Sequence, residues 1–390
     1  MFTKDNEDMV ENTHDINKAA IQDNNPVDII IPIGVQRDDP RKNIYWTPCY
    51  QAKPLGNAHV IIVGQSGNGK SNLLKLLIKS ISTSTDAPEK IVPSLVFDYH
   101  GELSGQGENG FLLGANANIV NPGMGIQINP LKLLEDPETK KKTSYLYSAT
   151  MLGQTIGMAF ELTNLQIGTL EMAIINVYKK AGFTENPETW ELPVPPFKAI
   201  AEELEYMSVE ERGVGFVLSK LRPLFINNIF RGDGRSGIED LFTRTTVIRL
   251  NALPNLHLRS ALVTLILIQL YEYMINQGPT RRLRCAVVAD ECHKLAKVPI
   301  FGDCYRELRK YGVSMIGASQ RLTDFNPDIL GNTATIIGMK MMADDSFRFA
   351  KELGTNNKRT AALLQRLGVG EAVIRNNAYY PFEVVKITRV

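Results

Sequence analysis

The sequence predicts an α/β fold with a mostly parallel central sheet and a helical insertion. Short apolar runs rich in β-branched residues recur along the chain, as strands buried on both faces require. These runs are AHVIIVG (58–64), SLVFDYHGE (94–102), TTVIRL (245–250), CAVVAD (285–290) and SMIGAS (314–319). Segments with helical spacing separate them, and strands alternating with helices favour a parallel sheet covered on both faces.

The chain divides into three predicted parts. Residues 1–26 are rich in Asn, Asp, Glu and Lys and hold few large apolar groups, which predicts a disordered tail. Two β-rich runs separated by the polar QRDDPRK predict a hairpin over 27–50 that leads into the core. Residues 51–390 form the main domain, and the helical segments from about 136 to 240 are its insertion.

Composition indicates a globular protein and excludes several classes. The 390 residues are 44% hydrophobic, which is enough for a substantial core, and the four cysteines have no paired spacing that predicts a disulfide framework or a zinc site. No run matches the roughly 20 uncharged apolar residues of a membrane span, so we expect a cytoplasmic protein with no membrane partner. The 43 basic residues balance 42 acidic ones, so nucleic-acid binding would need a local stripe or a ring that concentrates charge at a pore.

The strongest motif follows the first strand of the main domain. GQSGNGKS (64–71) fits the phosphate-loop pattern GxxxxGK[ST] at every fixed position, and it lies between a buried strand and an amphipathic helix. The glycines let backbone amides point at phosphate oxygens, Lys70 reaches the β- and γ-phosphates, and Ser71 ligates Mg²⁺. We therefore expect ATP and Mg²⁺ as ligands. The predicted nucleotide-contacting residues are Gly64, Gln65, Ser66, Gly67, Asn68, Gly69, Lys70, Ser71 and Asn72.

An acidic pair completes the predicted catalytic centre. The apolar run Ala286–Ala289 precedes Asp290 and Glu291, so a buried strand carries both carboxylates to the carboxyl edge of the sheet. There Asp290 holds Mg²⁺ through water and Glu291 polarises the attacking water. We expect this pair and the phosphate loop to lie next to each other across adjacent strands. The alternative is a solvated acidic pair at a strand end.

Polar residues also end the second strand. Asp98, His100 and Glu102 lie at the edge that carries the phosphate loop if the sheet is parallel. They could orient water or metal from behind the primary ligands, or they could serve the structure of the strand end, and the sequence leaves both roles open.

Two further residues are candidates for sensing and completing ATP hydrolysis. Gln320 follows the SMIGAS strand, where a neutral amide could contact the γ-phosphate and report its loss. Arg309 precedes that strand at a basic helix end, where it either compensates the helix dipole or, in a ring, reaches a neighbour's ATP as an arginine finger. Arg306 is the fallback for the second role.

The motifs GQSGNGKS, VFDYHGE, AVVADE and RKYGVSMIGASQR occur in an order that resembles the HerA/FtsK superfamily of DNA-translocating ATPases, with the HerA branch the most similar. Asp98, His100, Gly101 and Glu102 match its second-strand motif, and Arg309 to Gly312 with Gln320 match its basic segment. The resemblance spans about residues 28–390. It implies a RecA-like P-loop core, a homo-hexamer, a central channel for double-stranded DNA and ATP bound between subunits.

Two departures limit what the resemblance implies. The segment before the phosphate loop is shorter than the β-barrel domain through which many HerA proteins dock a nuclease, so the usual partner is in doubt. Lys340 stands where relatives often have an arginine, so the resemblance provides no second residue that acts on a neighbour's ATP.

Three functions follow from these motifs. The leading hypothesis is an ATPase that drives translocation of double-stranded DNA through a ring, in DNA processing, repair or antiviral (phage) defence. The alternatives are a soluble motor for conjugation or packaging, and an ATP-gated oligomeric scaffold for a nuclease or another effector enzyme.

Overall fold

The structure is a computed structural model that describes residues 29–49, 55–83, 91–105, 107, 109–253, 255–295, 298–355 and 357–390. The tail expected over 1–26 lies outside these residues. The strands are β1 Ile29–Gln36, β2 Asn43–Cys49, β3 Val60–Val63, β4 Ser94–Asp98, β5 Asn118–Val120, β6 Thr246–Arg249, β7 Cys285–Ala289, β8 Val313–Ser319, β9 Thr335–Gly338, β10 Glu371–Asn376 and β11 Tyr379–Ile387. The helices are α1 Lys70–Thr83, α2 Asn109–Gly114, α3 Tyr145–Ala159, α4 Asn164–Lys180, α5 Ala199–Glu210, α6 Arg212–Ile226, α7 Leu256–Asn276, α8 Pro299–Glu307, α9 Pro327–Gly331, α10 Ala343–Glu352 and α11 Lys358–Arg366.

The strands form one sheet in the order β2-β1-β11-β10-β9-β3-β8-β7-β4-β6-β5. From β9 to β5 every neighbouring pair is parallel, and β10, β11, β1 and β2 add an antiparallel flank. The predicted mostly parallel α/β fold is therefore confirmed. Because parallel strands end at the same edge, the loops after β3, β4, β7 and β8 all open on the carboxyl edge of the sheet.

Side-chain alternation along β3 separates the core into two layers. Val60 and Ile62 face a cluster that contains the leucines of α1, whereas Ile61 and Val63 face a cluster that contains the insertion helices and α7. A strand with every side chain buried packs on both faces, as the apolar run of β3 predicts.

Four helices, α3 to α6, lie between β5 and β6 in the chain and pack mainly on one another. Thr163 begins α4 with a capping box, in which its hydroxyl accepts from the Gln166 amide and the Gln166 side chain accepts from the Thr163 amide. Pro223 lies inside α6. The buried side chains of these helices belong to the same hydrophobic cluster as Ile61 and Val63 of β3, so the insertion extends one face of the core.

Helix α7 is the one described helix that is long and apolar enough to cross a membrane, and most of its apolar window is buried within the protein. Its side chains from Ala261 to Ile268 are almost all buried, and it packs against α3 and α8. Burial on all sides is expected of the core helix of a large α/β domain, because such a helix has no polar face.

Candidate nucleotide site

The phosphate loop joins the end of β3 to the first residue of α1. Gly67 and Gly69 adopt positive φ angles of 78° and 102°, a region that L side chains rarely occupy. These turns direct the loop backbone around the start of α1, where unpaired helical amides favour an anion. The Nζ of half-buried Lys70 donates to the carbonyls of Gly64 (2.7 Å) and Gln65 (3.0 Å), so the ammonium lies across the mouth of the loop.

Backbone contacts from two other segments hold the loop in place. The amide of Gly64 donates to Ser319 O at the end of β8 (3.2 Å), and the amide of Gln65 donates to Lys340 O after β9 (2.9 Å). A Cβ at Gly64 would approach the Cβ of Met339 to 2.7 Å, which explains why this position is glycine. The loop is thus fixed between the two strands that flank β3.

The acidic pair lies on a strand that does not touch β3. Strand β8 lies between β3 and β7, so the expectation that the phosphate loop and the acidic pair occupy adjacent strands is wrong. Sequence order does not give sheet order, because the crossover helices allow any strand to be inserted. The two motifs still meet, since the charges of Glu291 and Glu102 act on Lys70 and partly offset the lowering of its pKa by burial.

Asp290 is partly buried just after the end of β7. Burial raises the pKa of its carboxyl well above the usual range, and the neighbouring charge of Asp98 raises it further. The amide of Tyr99 donates to Asp290 Oδ1 at 3.1 Å, which favours the ionised form. A carboxyl group that is costly to ionise alone is one that a nearby cation would stabilise.

Asp98 has a structural environment. Its Oδ1 accepts from the amide of Gly101 (2.7 Å), and its Oδ2 accepts from the amide of Leu103 (3.2 Å) and the hydroxyl of Ser104 (2.6 Å). These three hydrogen bonds fix the conformation of the turn after β4. Of the two roles that the sequence leaves open, these contacts favour the structural one for Asp98.

Glu102 lies at the end of the turn that Asp98 shapes, and it faces the phosphate loop. Its Oε2 accepts a hydrogen bond from the Ser71 hydroxyl, and its charge offsets part of the lowering of the Lys70 pKa that burial causes. Glu102 therefore joins the second-strand motif to the nucleotide motif.

Two histidines flank Glu291. The Nε2 of His100 lies 3.2 Å from Glu291 Oε1, and the Nδ1 of His293 lies 2.8 Å from Glu291 Oε2. His100 comes from the turn after β4 and His293 from the turn after β7, so neighbouring strands place one imidazole on each oxygen. His293 belongs to no motif that predicts a role, and its position two residues after Glu291 in the stretch DECH is the one sequence signal for this contact.

The remaining candidates are Gln320, which follows β8, and Arg309 and Arg306, which precede it. Gln320 follows Ser319, whose Cα partner across the sheet is Val63, so Gln320 is exposed beside the phosphate loop. Arg309 lies in the 3₁₀ turn Leu308–Tyr311 before β8, at the amino edge of the sheet, and it is exposed. Its guanidinium has no hydrogen bond or ion pair with the residues that the structure describes. Arg306 instead pairs with Asp303 and lies near Asp328.

The oxygen groups at the carboxyl edge fit a magnesium ion. The Ser71 hydroxyl and the carboxylates of Asp290 and Glu102 are hard oxygen donors, which Mg²⁺ prefers, together with water and phosphate. Within the described residues, no group of three or more His, Cys, Asp and Glu side chains has an arrangement that could hold a metal by itself. The site is thus one that Mg²⁺ would share with a phosphate ligand.

The fold and the phosphate loop define a RecA-like P-loop ATPase fold, and solved structures share it. VirB4 of Thermoanaerobacter pseudethanolicus superposes with a TM-score of 0.67 at 20% identity, covering 92% of this chain and 96% of that one. The bacterial conjugative coupling protein TrwB gives a TM-score of 0.54 at 15% identity, with 85% of both chains covered. A complex of TrwB with ADP and Mg²⁺ gives 0.53 at 16% identity, covering 85% and 86%.

The chain belongs to the family of the HerA helicase central domain, since the model of that family matches residues 46–270, more than half of the sequence. A curated relative is the DNA double-strand break repair helicase HerA of Sulfurisphaera tokodaii, which is 24% identical over 353 residues. The match covers 85% of this chain, which in turn spans only 65% of the length of that relative.

Proposed function

We propose that this protein is an ATPase that couples ATP hydrolysis to translocation of double-stranded DNA and acts as a ring of six subunits. The observation that carries the proposal is that Ser71 of the phosphate loop donates to Glu102 and the charges of Glu102 and Glu291 act on Lys70 at one edge of the sheet, while Arg309 is exposed at the other edge. One subunit then holds the phosphate-binding half of the site, and a neighbour supplies the arginine.

The residues of the carboxyl edge have distinct roles in this proposal. The ammonium of Lys70 and the loop amides bind the β- and γ-phosphates. The hydroxyl of Ser71 and the carboxylate of Asp290 would hold Mg²⁺, which neutralises developing phosphate charge when it is bound. Glu291, held between His100 and His293, orients the attacking water and accepts its proton. The amide of Gln320 contacts the γ-phosphate.

Arg309 would complete the site of the neighbouring subunit. A guanidinium at the amino edge of the sheet lies on the other side of the domain from its own phosphate loop, so it can contribute only to another subunit's nucleotide. Arg306 is less available for this role because Asp303 already binds its guanidinium. An arginine finger stabilises charge on the transferring phosphoryl group.

The comparisons support duplex DNA as the substrate and ATP with Mg²⁺ as the ligands. The curated relative is described as a DNA double-strand break repair helicase, and a TrwB structure contains ADP and Mg²⁺. We place the protein in the cytoplasm in this proposal, since helix α7 is mostly buried within the fold. A nuclease or another effector enzyme is the kind of partner that such a motor would serve.

ATP hydrolysis by the purified protein tests the proposal directly. We expect duplex DNA to stimulate ATP hydrolysis several-fold more than single-stranded DNA, and native mass spectrometry with a non-hydrolysable ATP analogue to give six times the monomer mass. A protein that stays monomeric and whose rate of ATP hydrolysis does not change with any DNA would contradict the proposed DNA translocase. Stimulation by single-stranded DNA alone would instead favour a conjugation motor.

A further inference from the structure

The segment that follows β11 runs along the first turn of α1. Asn72 Nδ2 donates to Thr388 O at 2.8 Å, and the amide of Val390 donates to Asn72 Oδ1 at 3.1 Å. The carboxamide of Asn72 thus donates to the carbonyl of the residue before Arg389 and accepts from the amide of the residue after it. The backbone of one residue in a parallel sheet makes the same pair of hydrogen bonds to a neighbouring strand. A side chain that mimics a peptide group in this way fixes Arg389 beside the phosphate loop.

The loop before β10 belongs to the same unit. The amide of Gly370 donates to Asn68 O of the phosphate loop (3.1 Å), and the amide of Ile387 donates to Gly370 O (2.8 Å). Strand β11 is antiparallel to β10, which is antiparallel to β9, so β11 ends at the carboxyl edge like β3. Two stretches of the C-terminal hairpin, Gly368–Gly370 and Thr388–Val390, therefore flank the phosphate loop.

Sheet order determines which part of a nucleotide lies near these stretches. The acidic residues of the site, Glu102 and Glu291, follow β4 and β7, on the β8 side of β3. The hairpin lies on the opposite side, beyond β9. Because the γ-phosphate and its magnesium belong beside the acidic residues, the nucleoside end of the ligand projects toward the hairpin.

The side chains in that position suit a flat aromatic ligand. Val369 is 70% exposed although it is apolar, and Arg389 is exposed with no hydrogen bond or ion pair to the residues that the structure describes. A guanidinium stacks well on an aromatic face, and an exposed apolar side chain beside it offers contact area for a ring. Neither group reads the hydrogen-bonding edge of a base.

We infer that the C-terminal hairpin forms the nucleoside subsite of the ATP site, with Arg389 stacking on the purine, Val369 packing against it, and Asn72 positioning Arg389. This inference rests on the proposed function, since it assigns a role to residues around the same phosphate loop. It adds a contact to the base that is separate from the phosphate contacts of Lys70 and Ser71.

The test compares a ligand that has a base with one that lacks it. Binding of a fluorescent ATP analogue is measured directly, and inorganic tripolyphosphate is titrated as a competitor. We expect Arg389→Ala to weaken ATP binding about tenfold and to leave tripolyphosphate affinity within about twofold of wild type. Arg41→Ala is the matched control, because the Arg41 side chain is 93% exposed and pairs with Asp39 in its own turn, away from the phosphate loop.

Two further variants test whether Arg389 acts through stacking or through charge, and whether Asn72 positions Arg389 or contacts the nucleotide itself. Arg389→Lys keeps the charge without the planar group, so it should bind ATP nearly as weakly as Arg389→Ala. Asn72→Ala should also weaken ATP binding, and combining it with Arg389→Ala should add little, because Asn72 acts through Arg389. Thermal melts establish that each variant is folded.

Each outcome bears on a different claim. If Arg389→Ala lost affinity for ATP and tripolyphosphate equally, Arg389 would contact a phosphate and the nucleoside subsite would be wrong. Wild-type ATP affinity in Arg389→Lys would lead to the same conclusion. Unchanged ATP affinity in Arg389→Ala would overturn it as well. Failure of the wild-type protein to bind either ligand would instead reject the proposed ATPase, and Lys70→Ala, which should lose both ligands, provides that comparison.

Discussion

The imidazole of His100 lies 3.2 Å from Oε1 of Glu291, so a residue from the turn after β4 touches the proposed catalytic base that follows β7. Strands β4 and β7 are neighbours in the sheet, and their pairing aligns Phe97 with Ala289. The contact therefore arises from sheet register, and it gives Glu291 a fixed orientation relative to the phosphate loop.

Removing this contact should lower turnover but not nucleotide binding. We expect His100→Ala to reduce the rate of ATP hydrolysis about tenfold, because misplacing a catalytic carboxylate by about 1 Å costs up to 10²-fold. The ATP dissociation constant should stay within about twofold. Steady-state kinetics together with equilibrium binding measure the two effects, and His257→Ala, at an exposed histidine away from the site, is the control. A parallel loss of binding would show that His100 supports the loop and not the base.

Arg309 and Glu291 should complement each other between subunits. We expect Arg309→Ala and Glu291→Gln each to bind ATP normally and to lower hydrolysis at least 10²-fold, because each removes one half of a shared site. Mixing the two variants should restore measurable turnover at interfaces that carry one intact half from each. The ATPase rate across mixing ratios measures this, with Arg306→Ala as the matched control. If the rate of ATP hydrolysis stayed at the level of the single variants at every mixing ratio, Arg309 would not contribute to the neighbour's site.

Glu291→Gln also separates a motor from a scaffold. We expect the variant to assemble with ATP as the wild type does, because the amide keeps the shape of the side chain while turnover stops. DNA translocation, followed by displacement of a labelled third strand from a triplex, should then be lost. Full biological output from this variant would favour the ATP-gated scaffold.

The two carboxylates of the second-strand motif should differ in their effects. Asp98→Asn places an amide where three donors converge, so we expect a loss of about 2–3 kcal/mol in the free energy of unfolding. Glu102 is exposed and accepts a hydrogen bond from the Ser71 hydroxyl, so we expect Glu102→Gln to keep its stability while the magnesium concentration for half-maximal hydrolysis rises about fivefold. Urea unfolding and magnesium titration measure these effects, and the reverse pattern would exchange the two roles.

His59 should make the fold sensitive to acid. Burial, together with the charge of Arg309, lowers the pKa of this imidazole to about 4, and its Nδ1 accepts a hydrogen bond from the amide of Met315 at 3.0 Å. In the unfolded chain the imidazole of His59 binds a proton below about pH 6.5, whereas in the folded protein it stays neutral until the pH approaches 4. The free energy of unfolding therefore falls as the pH drops from 6.5 toward 4. Between pH 6.5 and 5 the loss from this residue is about 2 kcal/mol.

His59→Gln is the variant that isolates this contribution, because it keeps an acceptor for Met315 but does not titrate. We expect the wild type to lose about 2 kcal/mol more than the variant between pH 6.5 and 5, measured by urea unfolding at both values. Equal losses in the two proteins would mean that His59 is protonated in the fold.

The sequence predicts the local elements of the site well, since each has a pattern of its own. GQSGNGKS between a buried strand and an amphipathic helix specifies the phosphate loop, and Asp290 and Glu291 after a buried run specify the acidic pair. Both motifs lie at the carboxyl edge of a mostly parallel sheet, as expected. The insertion of β8 between them was not predictable, because strand order depends on crossovers and not on local propensity.

Other relationships leave no local pattern at all. The contacts of Asn72 with Thr388 and Val390 join side chain to backbone across more than 300 positions, so any sequence at 388–390 could make them. The residues DYHGE show three polar groups at a strand end, but only the turn geometry decides that Asp98 points into the turn and Glu102 toward Ser71. Contacts that depend on tertiary geometry require the fold itself.

Strand β8 has a further consequence in a closed ring. It lies between β3 and β7 and pairs with both, and its seven residues, about 23 Å in extended form, separate Gln320 at one end from Arg309 near the other. A short, fully buried strand held by parallel neighbours on both sides cannot stretch or bend. In the ring that we propose, loss of a γ-phosphate sensed at Gln320 would therefore be transmitted along β8 to Arg309 at the next subunit's nucleotide, and the sites would hydrolyse ATP in sequence.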